Sequence, residues 1–225
     1  MPEAPIELTP AVVARLQDLL ALPLDQALYH LARESHPFRV AALAWLLRHC
    51  LLLGPERTGE IWAAASLALA LAEQFPLRGL SFEGVSDQRA LARALLAEVR
   101  VRRLELEVAD LELREAERHL ARGAGNAVSR GYVQLVRGMI ARADRQADKA
   151  LAQFSSAADL FRRGGESDLA AAADVRRGLI LFNLGDRPRA RPLLLTSLIE
   201  IDPARFRLLT FQALGVLVRI FRGTR

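Results

Sequence analysis

The chain has 225 residues, of which 52% are hydrophobic and 25% charged, enough to build a continuous core and too apolar for a disordered chain. Its formal charge of +5 and pI near 10.4 permit an acidic partner. However, the cations are dispersed arginines, with Lys149 the only lysine, and aromatic side chains for base stacking do not accompany them, which argues against a nucleic-acid site. Cys50 is the only cysteine, so neither an intrachain disulfide nor a multi-cysteine zinc site can form.

The opening MPEAPIELTP lacks the cationic and apolar regions of a secretory signal, and a cytoplasmic location is expected. Thr9 and Pro10 predict an N-cap and first-turn proline for a helix through Leu20. Pro23 breaks the chain before a second helix over Asp25–Ser35, and Pro37 separates a third that ends at Gly54. Thr58 offers a cap for a fourth helix running to Gln74. Its apolar run IWAAASLALALA is too short to span a bilayer and reads as a buried helix. The stretch PLRGLSFEGVS, from Pro76 to Ser86, has no helical period. It marks a boundary between an N-terminal helical region over 1–80 and the remainder over 81–225, with Ser86 as the expected cap of the next helix.

Beyond that boundary the chain repeats. Ala97, Gly138 and Gly178 are each followed twelve positions later by alanine (Ala109, Ala150, Ala190). Four further on comes a large apolar residue (Leu113, Phe154, Leu194), and three beyond that a small one (Ala116, Ala157, Ser197). The offsets are 41 and 40 residues, a period that marks stacked helix pairs. A glycine in mid-helix costs about 1 kcal/mol relative to alanine, so Gly138 and Gly178 are read as packing residues that let the second helix of each pair approach closely.

The spacing of small, alanine, large and small residues resembles the tetratricopeptide repeat, and NLGDRPRA at 183–190 followed by IDPA at 201–204 resembles that repeat's turn and exit. The likeness is clearest over 131–204, moderate over 90–130 and faint over 38–75, where Ala64, Ala68 and Leu71 take the second-helix positions. The sequence departs from the pattern in its longer period. It also has Arg93, Gln134 and Asp174 where an aromatic belongs, and Pro203 stands one position late. Longer-helix bacterial relatives match this layout better than the co-chaperone type. The resemblance implies an all-α fold, an α-solenoid of antiparallel helix pairs with an N-terminal helical extension and a C-terminal helix.

It also implies a concave face lined by the first helix of each pair. Carried over residue by residue, that face includes Leu91, Ala94, Glu98 and Val101 in the first pair. Its partner-binding part is Tyr132, Leu135, Met139 and Arg142, then Val175, Leu179 and Phe182. The strip is mostly apolar, and the alternative is that it is core covered by other helices. After Pro203 the last helix, ARFRLLTFQALGVLVRIFRG, is apolar over much of its circumference. It reads either as a cap or as a first helix whose open face receives another chain or a second copy, giving a homo-oligomer.

No phosphate loop, zinc-protease motif, nucleophile elbow or calcium loop is present in the sequence, and no catalytic, cofactor or metal residue is assigned. Gly123 and Gly125 read as a helix end. The acidic run at 104–120 reads as a solvated face paired with Arg114 and Arg118. The expected function is therefore a non-catalytic interaction module that docks a partner helix or peptide. The alternative is the effector or dimerisation part of a nucleic-acid-associated regulator.

Overall fold

The computed structural model describes residues 8–75, 77 and 80–222. These residues form eleven α-helices and no strand. The fold class is all-α. The helices fall into two compact units, 1–129 and 130–225. The boundary expected near residue 80 lies inside the first unit, because the helix before it packs on the helix after it.

The first unit holds α1 (Pro10–Leu20), α2 (Leu24–Ala32), α3 (His36–Leu52), α4 (Thr58–Gln74), α5 (Phe82–Arg102) and α6 (Leu106–Leu120). Thr9 caps α1 by accepting the Val12 N–H, and Pro10 opens the helix, as the sequence predicts. Each helix packs on its neighbours: α2 and α3 on α4, α4 on α5, and α5 on α6. Helix α4 is buried through Ala64, Ala65, Ala68 and Leu71, whose small side chains allow close approach, while Leu43 and Leu46 fill the adjoining core. The cap of α5 is Ser81, which accepts the Gly84 N–H at 2.9 Å, and not Ser86, which is buried within the helix. Positions 76, 78 and 79 of the expected boundary lie outside the described residues.

The second unit holds nearly all of α7 (Ala127–Ala143), with α8 (Ala147–Arg163), α9 (Ser167–Asn183), α10 (Arg187–Glu200) and α11 (Arg207–Arg222). Helices α7 and α8 run antiparallel, because Gly131 meets Phe161 and Gly138, seven residues on, meets Phe154, seven residues back. A Cβ at Gly138 would stand 2.7 Å from the Phe154 ring, and one at Gly178 would stand 2.5 Å from Leu194 of α10. Both glycines therefore face the second helix of their own pair. All twelve residues of the repeated pattern are buried.

The turns inside the three pairs repeat as closely as the helices do. Leu104, Arg145 and Gly185 share a left-handed backbone at φ 63°, 59° and 84°. In each turn the following N–H closes a six-residue bond, Glu105 to the Arg100 carbonyl, Gln146 to that of Ala141 and Asp186 to that of Leu181. This is a Schellman-type helix end, and only Gly185 announces it in the sequence.

Two of the three positions where an aromatic would be expected, Arg93 and Asp174, carry charge and bridge neighbouring helices instead. Arg93 of α5 reaches Glu112 of α6 at 2.9 Å and Glu73 of α4 at 2.8 Å. Asp174 of α9, buried, is held by Arg162 of α8 and by Arg177 at 2.5 Å. The chain after α10 is fixed to α9 by the Asp202 N–H donating to Asp168 at 3.1 Å and by a largely buried Arg205. Asp202 accepts the Ala204 N–H and shapes a turn. The last helix accordingly starts at Arg207 and not directly after Pro203.

Candidate interaction surface

The residues of the expected concave strip divide by burial. Tyr132, Leu135 and Met139 of α7 and Val175 of α9 are buried. Tyr132 meets the Phe161 ring edge-on with centroids 5.9 Å apart, so its aromatic face belongs to the interior packing of its pair. Leu179 and Phe182 are half-buried, and Arg219 of α11 lies over the Phe182 ring at 4.9 Å from its centroid. Arg142 is exposed. In the first unit Leu91, Ala94, Glu98 and Val101 are buried as well, Glu98 paired with Arg102. The description of this strip as core therefore fits most of its members.

Helix α11 is different, because it has two apolar faces. Leu209, Ala213, Leu217 and Ile220 are buried on the side that packs against α9 and α10. On the opposite side Phe211 is 66% exposed, Leu214 47% and Val218 48%, with Phe221 beside them under Arg191. The spacing of Phe211, Leu214, Val218 and Phe221 alternates three and four residues, which keeps them on one line along the helix. Between them Gly215 faces open space. The apolarity of both sides is visible in the sequence, and packing against α9 and α10 decides which side is covered.

A cleft of about 500 Å³ opens between α8, α9 and α10, lined by Arg162, Asp174, Arg177, Arg189 and Glu200 among others. Its charges answer one another. Burial works to lower the Arg162 pKa, but the Asp174 carboxylate, with help from Glu200 and Asp159, raises it above the usual value. Arg189 pairs with Asp186, whose pKa is lowered chiefly by that hydrogen bond. The cleft thus holds an internal ion-pair network.

Cys50 is buried, and its thiol is pushed up to about 12 by that burial, so it is not a nucleophile in the fold. His49 stacks on Trp45 at 4.7 Å, and burial lowers its pKa. Among the described residues no cluster of His, Cys, Asp and Glu could hold a metal ion, and no helix is long and apolar enough to cross a membrane. The acidic helix α6 is laced by Arg114–Asp110 and Arg118–Glu115 pairs. No family model, curated protein or solved structure matches the chain.

Proposed function

We propose that the chain is a non-catalytic, cytoplasmic protein-interaction module, a tetratricopeptide-like solenoid of antiparallel helix pairs that docks a partner helix. The observation that carries the reading is the exposed apolar line on α11, from Phe211 through Leu214 to Val218. Three large apolar side chains in register on one rigid, doubly anchored helix form a helix-docking seam of the kind used in helix-in-groove recognition. The docking face is assigned to α11 in preference to the Tyr132–Phe182 strip, because a partner could reach Tyr132, Leu135, Met139 and Val175 only by displacing packed side chains.

The nucleic-acid reading is weaker. Many arginines, including Arg93, Arg100, Arg102, Arg162 and Arg177, are engaged with carboxylates of the chain itself and are poorly placed for phosphate. The test is cross-linking capture from native lysate with the wild-type chain and with the Phe211→Ser/Val218→Ser double variant. A partner recovered with the wild type and lost with the folded variant supports the reading. Equal recovery by both removes the seam from it.

A further inference from the structure

The exposed seam of α11 is in register with two faces that are covered. Helices α7, α9 and α11 begin at 127, 167 and 207, forty residues apart. Phe211 and Val218 therefore stand where α7 has Gly131 and Gly138, and where α9 has Ala171 and Gly178. On α7 these sites receive Phe161 and Phe154 of α8, and on α9 Gly178 receives Leu194 of α10. On α11 the same positions remain exposed. The face has helix-receiving register, but its sizes are inverted: large side chains stand where the covered faces carry glycine or alanine. A helix that seats here must bring small residues opposite Phe211 and Val218.

Charge narrows the occupant further. Arg207 lies one turn before Phe211 and Arg222 one turn after Val218, both exposed and on the same line, and α11 contains no acidic residue. The two guanidinium groups bracket an apolar track about 22 Å long, at 1.5 Å per residue. A second copy pairing through this face would set Arg207 against Arg207 in the parallel arrangement, or Arg207 against Arg222 in the antiparallel one. Either way like charges meet at both ends.

We propose that this seam receives one amphipathic helix of another protein, with a stripe of small residues facing Phe211 and Val218 and carboxylates at both ends facing Arg207 and Arg222. The proposal rests on the reading of the chain as a helix-docking module, and it names the partner's chemistry. An anionic membrane would match the arginines too, but the helix-receiving register favours a helix over a lipid surface.

The probes are two labelled synthetic helices that share an Ala/Leu face, one flanked by glutamates and one by lysines, titrated with the full chain by fluorescence anisotropy. The glutamate-flanked helix should bind about tenfold or more tighter than the lysine-flanked one, a difference of about 1.4 kcal/mol. Its affinity should fall as salt rises from about 50 to 300 mM. Phe211→Ser/Val218→Ser should abolish binding, and Arg207→Glu/Arg222→Glu should reverse the preference between probes.

Equal binding of both probes that still requires Phe211 overturns the charge assignment and leaves the docking module standing. If neither probe binds, both fall. A concentration-dependent dimer in sedimentation that is lost in Phe211→Ser makes the occupant a second copy and overturns the proposal. Cosedimentation with phosphatidylserine-containing vesicles that is lost in the same variant makes it a lipid surface and overturns it too.

Discussion

Gly138 and Phe154 touch so closely that a methyl group on the glycine would stand 2.7 Å from two carbons of the ring. Phe154 is completely buried and has nowhere to retreat. Replacing Gly138 by leucine should therefore cost about 1–3 kcal/mol through overpacking, more than the gain in helix propensity of about 1 kcal/mol. Gly215 provides the internal control: it is also within a helix but meets nothing within 4 Å, so Gly215→Ala should stabilise by up to about 1 kcal/mol. Urea denaturation of the two variants measures the contrast. Equal shifts in the same direction would mean that propensity, and not packing, governs both sites.

The ring on the other side of that contact is one of the two fully buried phenylalanines of the middle pair, the other being Phe161. Phe154→Ala should lower stability by about 3–5 kcal/mol, and Leu113→Ala and Leu194→Ala by about 2–5 kcal/mol, since all three side chains are fully buried. Midpoints from denaturant unfolding at constant m-value check this order.

The three equivalent turns lead to an opposite result. Leu104 and Arg145 hold a left-handed backbone that costs an L-residue roughly 1–2 kcal/mol, while glycine adopts it freely. After allowing for the extra entropy glycine loses on folding, Arg145→Gly and Leu104→Gly should each stabilise by up to about 1 kcal/mol. Gly185→Ala should destabilise by a similar amount. Thermal melts of the three variants read the sign directly.

Those turns also show what the sequence withheld. The helices were legible because prolines, Thr9 and the recurring small residues impose local constraints that survive in the fold. The turn conformation at Leu104 and Arg145 was not, since nothing in a leucine or an arginine signals a positive φ. Ser86 reads as a cap because it closes the stretch PLRGLSFEGVS, which has no helical period, yet the helix already starts at Phe82, and Gly84 is tolerated in its first turn, where its N–H answers Ser81. The apolarity of both the strip and α11 was evident, but which of them is covered is decided by tertiary packing. A hydrophobic side chain has the same sequence signal in a core as in an interface.

Burial of two histidines makes stability depend on pH. His49 and His119 have pKa values lowered from 6.5, first by desolvation, with Arg57 adding to the effect at His49 and Arg93 and Arg89 at His119, partly opposed by nearby glutamates. The unfolded chain therefore binds more protons than the folded one once pH drops toward 6.5. Stability should be constant above that value and fall as pH decreases from it toward the lower folded pKa values. Urea midpoints at about pH 7.5 and 5.5 should show the decline, and His49→Gln should reduce it. A midpoint unchanged by the pH step would mean that the imidazoles remain solvated.

The strip and the seam should respond in opposite ways to the same chemistry. Met139 and Val175 are buried, so Met139→Ser and Val175→Asp leave a cavity or an unpaired polar group in the interior, and each should destabilise by at least about 2 kcal/mol. Phe211 and Val218 already face solvent over 66% and 48% of their surface, so changing both to serine should shift stability by no more than about 1 kcal/mol. Circular dichroism melts of the three variants place each residue. If Met139→Ser kept the wild-type melting temperature, the strip would be open to a partner and the docking face would return to α7 and α9. If Phe211→Ser/Val218→Ser unfolded the chain, the seam would be structural, and α11 would be a cap and not a recognition helix.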